Sequence, residues 1–489
     1  RKISDRIECM REELNKKVVR ATKWSSLTEI AAKLVSPIST MVLARLLAPD
    51  AFGILVTATM VISFAEIFTD AGFQKYLIQH KFDTRDDLYK STTVAFWSNL
   101  IMSLVIWAVI IIFSGQIAEL VGSEGHGDVI AVSCFCIPLA AFSSIQMALY
   151  KRDLDFKTLF LVRIIGVLIP LVVTIPLAYF TRSYWSLIIG MIALNLSNAI
   201  ILTVKSKWKP KWFYSFKLLK EMFSFTVWSM IEAISIWLTS YIDIFIVGTM
   251  LNEHYLGIYR TSMTTVGQIM GLVTAATTPV LFSSLSKLQD NDAELKRMFF
   301  SFQKLVGILV IPLGVGIFLF QDLVTKILLG SQWYEAAHFI GLWGLTSAVT
   351  IVLSHYCSEL YRAKGKPKLS VLVQVLHILC LVPAILWAVR FDFRFLCDVR
   401  ALVRLTLIVI NLFVLYHVVR ISFASMLKNI LPALIASAAM AGFALLTNAD
   451  SYTMSWQIIM CIVCMIVYAS ILMLFRKERN IIFNLKSKL

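Results

Sequence analysis

Phe52-Gly53-Ile54, which follows Trp24-Ser25 at a fixed distance, returns 204 residues later as Leu256-Gly257-Ile258 behind Trp228-Ser229. A second echo, Leu149-Tyr150-Lys151 against Leu360-Tyr361-Arg362, recurs at an offset of 211, so the two halves keep their register through most of their length. One module is therefore written twice. It is written in apolar residues: 58% of the chain is hydrophobic and 16% charged, against about 45–50% and about 25% in soluble domains, and the mean hydropathy is +0.77. Two similar membrane bundles that rock around a shared site can open it to each side in turn, which is the architecture of a transporter.

Because about 20 apolar residues cross a bilayer as a helix, the pattern predicts an all-α polytopic protein of about fourteen spans, the first over 24–47 and the eighth over 256–283. The expected layout is an amphipathic cytoplasmic segment (1–23), a lobe of helices 1–6 (24–204) and a basic interfacial linker (205–221). A pseudo-symmetric lobe of helices 7–12 (222–420), helices 13–14 (421–475) and a cytoplasmic tail (476–489) follow. Of the 46 Lys and Arg residues, 35 fall in the N-terminal segment, the even-numbered loops or the tail, and the odd loops hold only Arg182, Lys326, Arg390 and Arg394. By the positive-inside rule both termini are cytoplasmic.

A net charge of +16 on a soluble protein would suggest nucleic acid. Here the basic clusters lie beside spans, together with Trp208, Trp212 and Phe213 in the linker, and so point to anionic membrane lipids and to no nucleic-acid partner. The eight cysteines sit mostly in apolar runs and read as small buried hydrophobes; Cys461 and Cys464 have redox-motif spacing inside an unbroken apolar helix. The charged first 23 residues lead into an apolar run with no small-residue cleavage site, which gives no expectation of a removable signal peptide. The loops hold no P-loop, HExxH, GxSxG or metal pair, so neither a cofactor nor an enzymatic activity is expected.

A charge near the bilayer centre costs about 2.5–3.5 kcal/mol on insertion scales, so each one needs a partner or a hydrated cavity. Lys33, Arg163 and Arg404 are the deep cations and the candidate substrate-binding residues, chosen on depth alone. Glu29, one turn before Lys33, and Glu232 and Asp243 in the repeat partner of the first span are candidate gating or ion-coupling residues. Pro37 interrupts the first span and removes a helical hydrogen bond beside Lys33. Arg45, Arg260 and Arg400, near outer ends, read as anchors whose side chains reach water, and His355 and Glu359 as an i, i+4 pair.

The runs Ala21-Thr-Lys-Trp24-Ser25, Val42-Leu-Ala-Arg45-Leu-Leu-Ala-Pro49-Asp-Ala-Phe52-Gly53, Asp70-Ala-Gly72-Phe73 and Leu77-Ile-Gln79 resemble the polysaccharide-transport branch of the MOP (MATE-like) superfamily, the Wzx and WzxC-like flippases. Leu329-Gly330-Ser331-Gln-Trp333-Tyr-Glu-Ala336-Ala337 and Tyr361-Arg-Ala-Lys-Gly365-Lys-Pro367 are similar to the same branch. The resemblance covers most of residues 20–370. It implies two six-helix lobes in the bacterial inner membrane that flip undecaprenyl-pyrophosphate-linked oligosaccharide units to the outer leaflet for lipopolysaccharide, capsule or exopolysaccharide. A glycan polymerase and a chain-length regulator would be partners. The alternative within the superfamily is a cation-coupled multidrug exporter, which has little use for basic residues in its cavity.

Overall fold

The computed structural model describes residues 32–479 apart from 34, 71, 289–290, 365, 367, 448–452 and 477, and without the side chains of 224–229, 231–232, 276, 279 and 282–283. Among the described residues the chain is helical with no strand. Twelve helices among the described residues are long and apolar enough to cross a membrane. Of the two other expected spans, the first reaches into residues outside the described ones, its described part being α1 (Val35–Leu46). The other falls within a 35-residue helix, Glu253–Lys287, which includes residues whose side chains are not described.

Contacts divide the chain into two compact units, 1–257 and 258–489. In the first unit, α2 (Pro49–Asp70), α3 (Phe73–Gln79), α4 (Arg85–Ile112) and α5 (Ser114–Leu120) precede α6 (Gly127–Arg152), α7 (Phe156–Thr181), α8 (Trp185–Lys205) and α9 (Phe216–Met250). The helix expected to open the second lobe, α9, is thus grouped with the first unit, where it packs on α2 and Trp237 donates from Nε1 to the Ser63 hydroxyl at 3.0 Å. One cluster, with Tyr76, Phe96, Ile145, Trp208 and Met222 at its centre, joins α3, α4 and α6 to the linker. Trp208 pulls the linker inward against Phe96, whereas Trp212 is 92% exposed and stacks on Trp97 at 4.8 Å. Lys209 donates to the Thr203 and Val204 carbonyls, which capping at the C-terminus of α8 leaves open to it. The linker is fastened to its unit by one face and presents lysines and aromatic rings on the other.

The repeated glycines meet each other's helices. α10 (Glu253–Lys287) starts in the first unit and crosses the start of α2 so closely that a Cβ on Gly53 would lie 1.8 Å from the Glu253 carbonyl oxygen. A Cβ on Gly257 would lie 2.0 Å from the Pro49 carbonyl oxygen. Residues 49 and 253 are separated by the same 204 positions as 53 and 257, so the contact is self-complementary, as across a two-fold axis. Asp50 and His254, also repeat equivalents, lie 3.2 Å apart, and His126 sits 3.9 Å from Glu253.

The second unit contains the rest of α10 and α11 (Asp292–Leu319), α12 (Gln321–Leu328), α13 (Ser331–Ala363), α14 (Lys368–Ala388), α15 (Phe393–Val419), α16 (Phe423–Leu446) and α17 (Met454–Leu474). α11 packs on α13, and on its other side α16 and α17 build a cluster around Ile308, Phe320, Met440 and Tyr468. The buried Tyr468 hydroxyl donates to the Ile308 carbonyl at 2.8 Å, which meets the polar demand of a phenol inside that cluster.

Candidate anion-binding site

On α10, Arg260, Thr264, Gly267, Gly271 and Thr274 recur at i, i+4, i+7, i+11 and i+14, a spacing that puts them on one face. That face borders an open cavity of about 350 Å³ in the second unit, lined on the other side by Trp343, Ser347, Ile351 and His355 of α13 and by Arg404 of α15. The stripe is polar along a helix of 35 residues, long enough to span a membrane. Its small residues leave room, and its hydroxyls and arginine keep the room wettable.

Arg404 lies near the middle of the 27-residue apolar helix α15. Its guanidinium stands 4.2 Å from the centroid of the Trp343 ring and donates to the Ser347 hydroxyl, one turn further along α13. Stacking on a desolvated indole is worth about 2 kcal/mol, and it fixes the plane of the fork at the border of the cavity. Among the described residues no carboxylate lies within ion-pair distance of Arg404. Arg400, one turn earlier, also stands over Trp343 at 4.8 Å, but it is 8% exposed and its Nε donates to the Tyr259 hydroxyl at 3.0 Å. Arg400 is thus built into the wall and does not reach water as an anchor would, because an aromatic face and a phenol offer its guanidinium a site inside. Arg260, read from the sequence as another anchor, borders the cavity.

Within α13, the turn Ile351–His355 is π-helical. One extra residue per turn shifts the face that follows, a device found often at functional sites. Here it puts His355 at the cavity, 3.4 Å from the Thr278 hydroxyl. The expected pair with Glu359 is not made: Glu359 is 6% exposed and takes Arg362 at 3.2 Å instead.

The other candidate residues belong to the first unit. Lys33 is half-buried and Arg163 exposed on α7; among the described residues neither takes part in an ion pair. Pro37 lies within α1 and supplies no N–H to the Lys33 carbonyl, while the Ser39 and Thr40 hydroxyls donate to the carbonyls of Val35 and Ser36. Asp243, 3% exposed on α9, accepts from the Ile244 N–H at 2.9 Å. Glu29 and the side chain of Glu232 lie outside the described residues. Within its own unit Arg404 has company from Arg260 and Arg400, which depth alone did not single out. Trp343 and Ser347 carried no charge to attract notice, and the α10 stripe was legible in its spacing.

A helical fold of this kind, with a polar cavity lined by membrane-deep side chains, defines a membrane transporter scaffold. The fold is similar to that of the lipid II flippase MurJ in an inward closed conformation, with a TM-score of 0.73 over 93% of this chain and 99% of that one at 13% identity. Residues 42–338 match the family model described as polysaccharide biosynthesis protein, and the chain belongs to that family. It is 24% identical over 375 residues, 76% of each chain, to an uncharacterised membrane protein in the cps region of Klebsiella pneumoniae. It is 20% identical over 378 residues to the lipopolysaccharide biosynthesis protein WzxC of Escherichia coli, covering 76% of this chain and 75% of that one.

Proposed function

We propose that the chain is a flippase that carries undecaprenyl-pyrophosphate-linked oligosaccharide units from the cytoplasmic to the outer leaflet of the bacterial inner membrane by alternating access, with both termini cytoplasmic. The observation that carries this reading is Arg404: a membrane-deep guanidinium, oriented by Trp343 and Ser347, facing a cavity that Arg260 also borders. A pyrophosphate and a polar glycan cannot cross hydrocarbon unshielded, whereas a polyprenyl tail can remain in lipid. Arginines that present fixed donors to phosphate oxygens offset that charge. Lys33 and Arg163 would serve the headgroup in the first unit, with Glu29, Glu232, Asp243 and Pro37 taking part in closure or ion coupling. No bond in the substrate changes, so the chain acts as a transporter and not as an enzyme; a polymerase and a chain-length regulator would act on what it delivers.

A cation-coupled drug exporter fits this cavity poorly, since a lipophilic cation entering it would meet Arg260 and Arg404. Removing the chain from its host separates the two readings. The expected result is accumulation of carrier-linked oligosaccharide on the cytoplasmic leaflet with loss of surface polysaccharide. Normal surface polysaccharide together with new sensitivity to cationic dyes would contradict the flippase reading and favour the exporter.

A further inference from the structure

Beside the cavity already described, the second unit holds a smaller one of about 170 Å³ between α13, α14 and α15, and the two share Ile351, His355 and Arg404 as a common wall. The smaller cavity differs in chemistry. Its remaining polar lining is Thr350, Ser354, Ser358, Ser370, Gln374 and Asn411, all neutral. Asn411 is locked: its Nδ2 donates to the Ser354 hydroxyl at 2.7 Å and its Oδ1 accepts from the Tyr361 hydroxyl at 3.1 Å. Ser370 Oγ is buried and makes no hydrogen bond among the described residues. A buried hydroxyl without a partner carries a desolvation penalty, which a polar group in the cavity would relieve once the Ser370 side chain turns toward it.

The surroundings make this lining conspicuous. Ser370 and Gln374, one turn apart on α14, border the cavity, on a helix otherwise apolar enough to cross a membrane. An amide and a hydroxyl one turn apart in an apolar helix need a polar neighbour or a hydrated space, and here they meet the cavity. A wall of neutral donors and acceptors with no carboxylate selects a neutral polyhydroxylated ligand. An anion would gain only from Arg404, and a cation would gain nothing. The volume matches about six waters, which is room for one sugar ring and not for two.

We propose that the smaller cavity binds the sugar ring attached directly to the pyrophosphate, with Arg404 holding the phosphate at the boundary of the two compartments. This rests on the flippase reading and adds a specificity site to it. Ser370 and Gln374 hydrogen-bond the ring hydroxyls, and Asn411 and Ser354 form the rigid floor.

The test is binding by the full chain in nanodiscs, followed by Trp343 fluorescence with the other tryptophans as background. The probes are undecaprenyl pyrophosphate and the same carrier bearing a single glucose or galactose. The wild type is expected to bind at least one of the sugar-bearing carriers about tenfold more tightly than the bare one. Ser370→Ala with Gln374→Leu should erase that preference while leaving affinity for the bare carrier unchanged; Ser370→Ala alone, the milder change, should erase part of it. Arg404→Ala should weaken binding of every probe. A wild type without preference, or a double variant that keeps it, overturns the sugar site while the flippase reading stands. Failure of all probes to bind in an Arg404-dependent manner overturns both.

Discussion

Arg404→Ala is expected to lower export of surface polysaccharide by about tenfold to a hundredfold without lowering the amount of protein in the membrane. A charge-assisted hydrogen bond to phosphate contributes about 1.5–3 kcal/mol, and the change removes that contact from the anion while costing the fold only a hydroxyl bond to Ser347 and a ring contact with Trp343. Folding should suffer little, because the guanidinium borders two cavities and lies in no ion pair with a described carboxylate. Arg404→Lys keeps the charge but loses the planar fork that stacks on Trp343, so it should recover export only in part. Arg400→Ala should behave in the opposite way: its guanidinium is buried against Trp343 and Tyr259, and its loss should lower protein yield as well as export. Surface glycan labelling normalised to membrane protein level distinguishes these outcomes; an Arg404→Ala chain that exports normally would remove the residue from the site.

Gly53→Val and Gly257→Val should each destabilise the crossing of α2 and α10 by about 1–3 kcal/mol, the usual range for overpacking, and abolish export. The atoms that a new Cβ would strike are the backbone carbonyl oxygens of Glu253 and Pro49, at 1.8 and 2.0 Å, and a backbone atom cannot rotate aside as a side chain can. Both substitutions push apart the same two helix starts. The double variant should therefore cost about as much as either single one, a departure from additivity expected of residues that share one contact. Gly442, on α16, has nothing within 4 Å of an added Cβ, and Gly442→Ala should be neutral or stabilising through helix propensity. Thermal melting of the purified chain measures all four; additive losses for the pair would mean that the two glycines serve separate contacts.

Residues that are equivalent in the repeat were visible in the sequence as matching strings, but not that they face one another. Matching Gly53 with Gly257 tells that two helices start alike, whereas the symmetry that turns one start onto the other is a property of the packed chain. Arg404 was legible for a simple reason: an arginine in the middle of an apolar run has few explanations. Its neighbours were less so. Trp343 and Ser347 look like ordinary core residues until a guanidinium rests on them, and the π-helical turn Ile351–His355 has no signature in residue type. The spacing of the α10 stripe was a signal that the sequence carried and that a search for deep charges passed over. The tie between α9 and α2, by which contacts divide the chain after Gly257 and not at the linker, depends on tertiary packing that the repeat does not encode.

The most direct measurement of the central claim uses the purified chain in proteoliposomes that contain undecaprenyl pyrophosphate bearing a short oligosaccharide, scored by how much of the glycan moves from one leaflet to the other. Movement that is fast with the wild type and slow with Arg404→Ala is the predicted result. Equal rates for the two proteins, or no movement beyond that of empty liposomes, would contradict it.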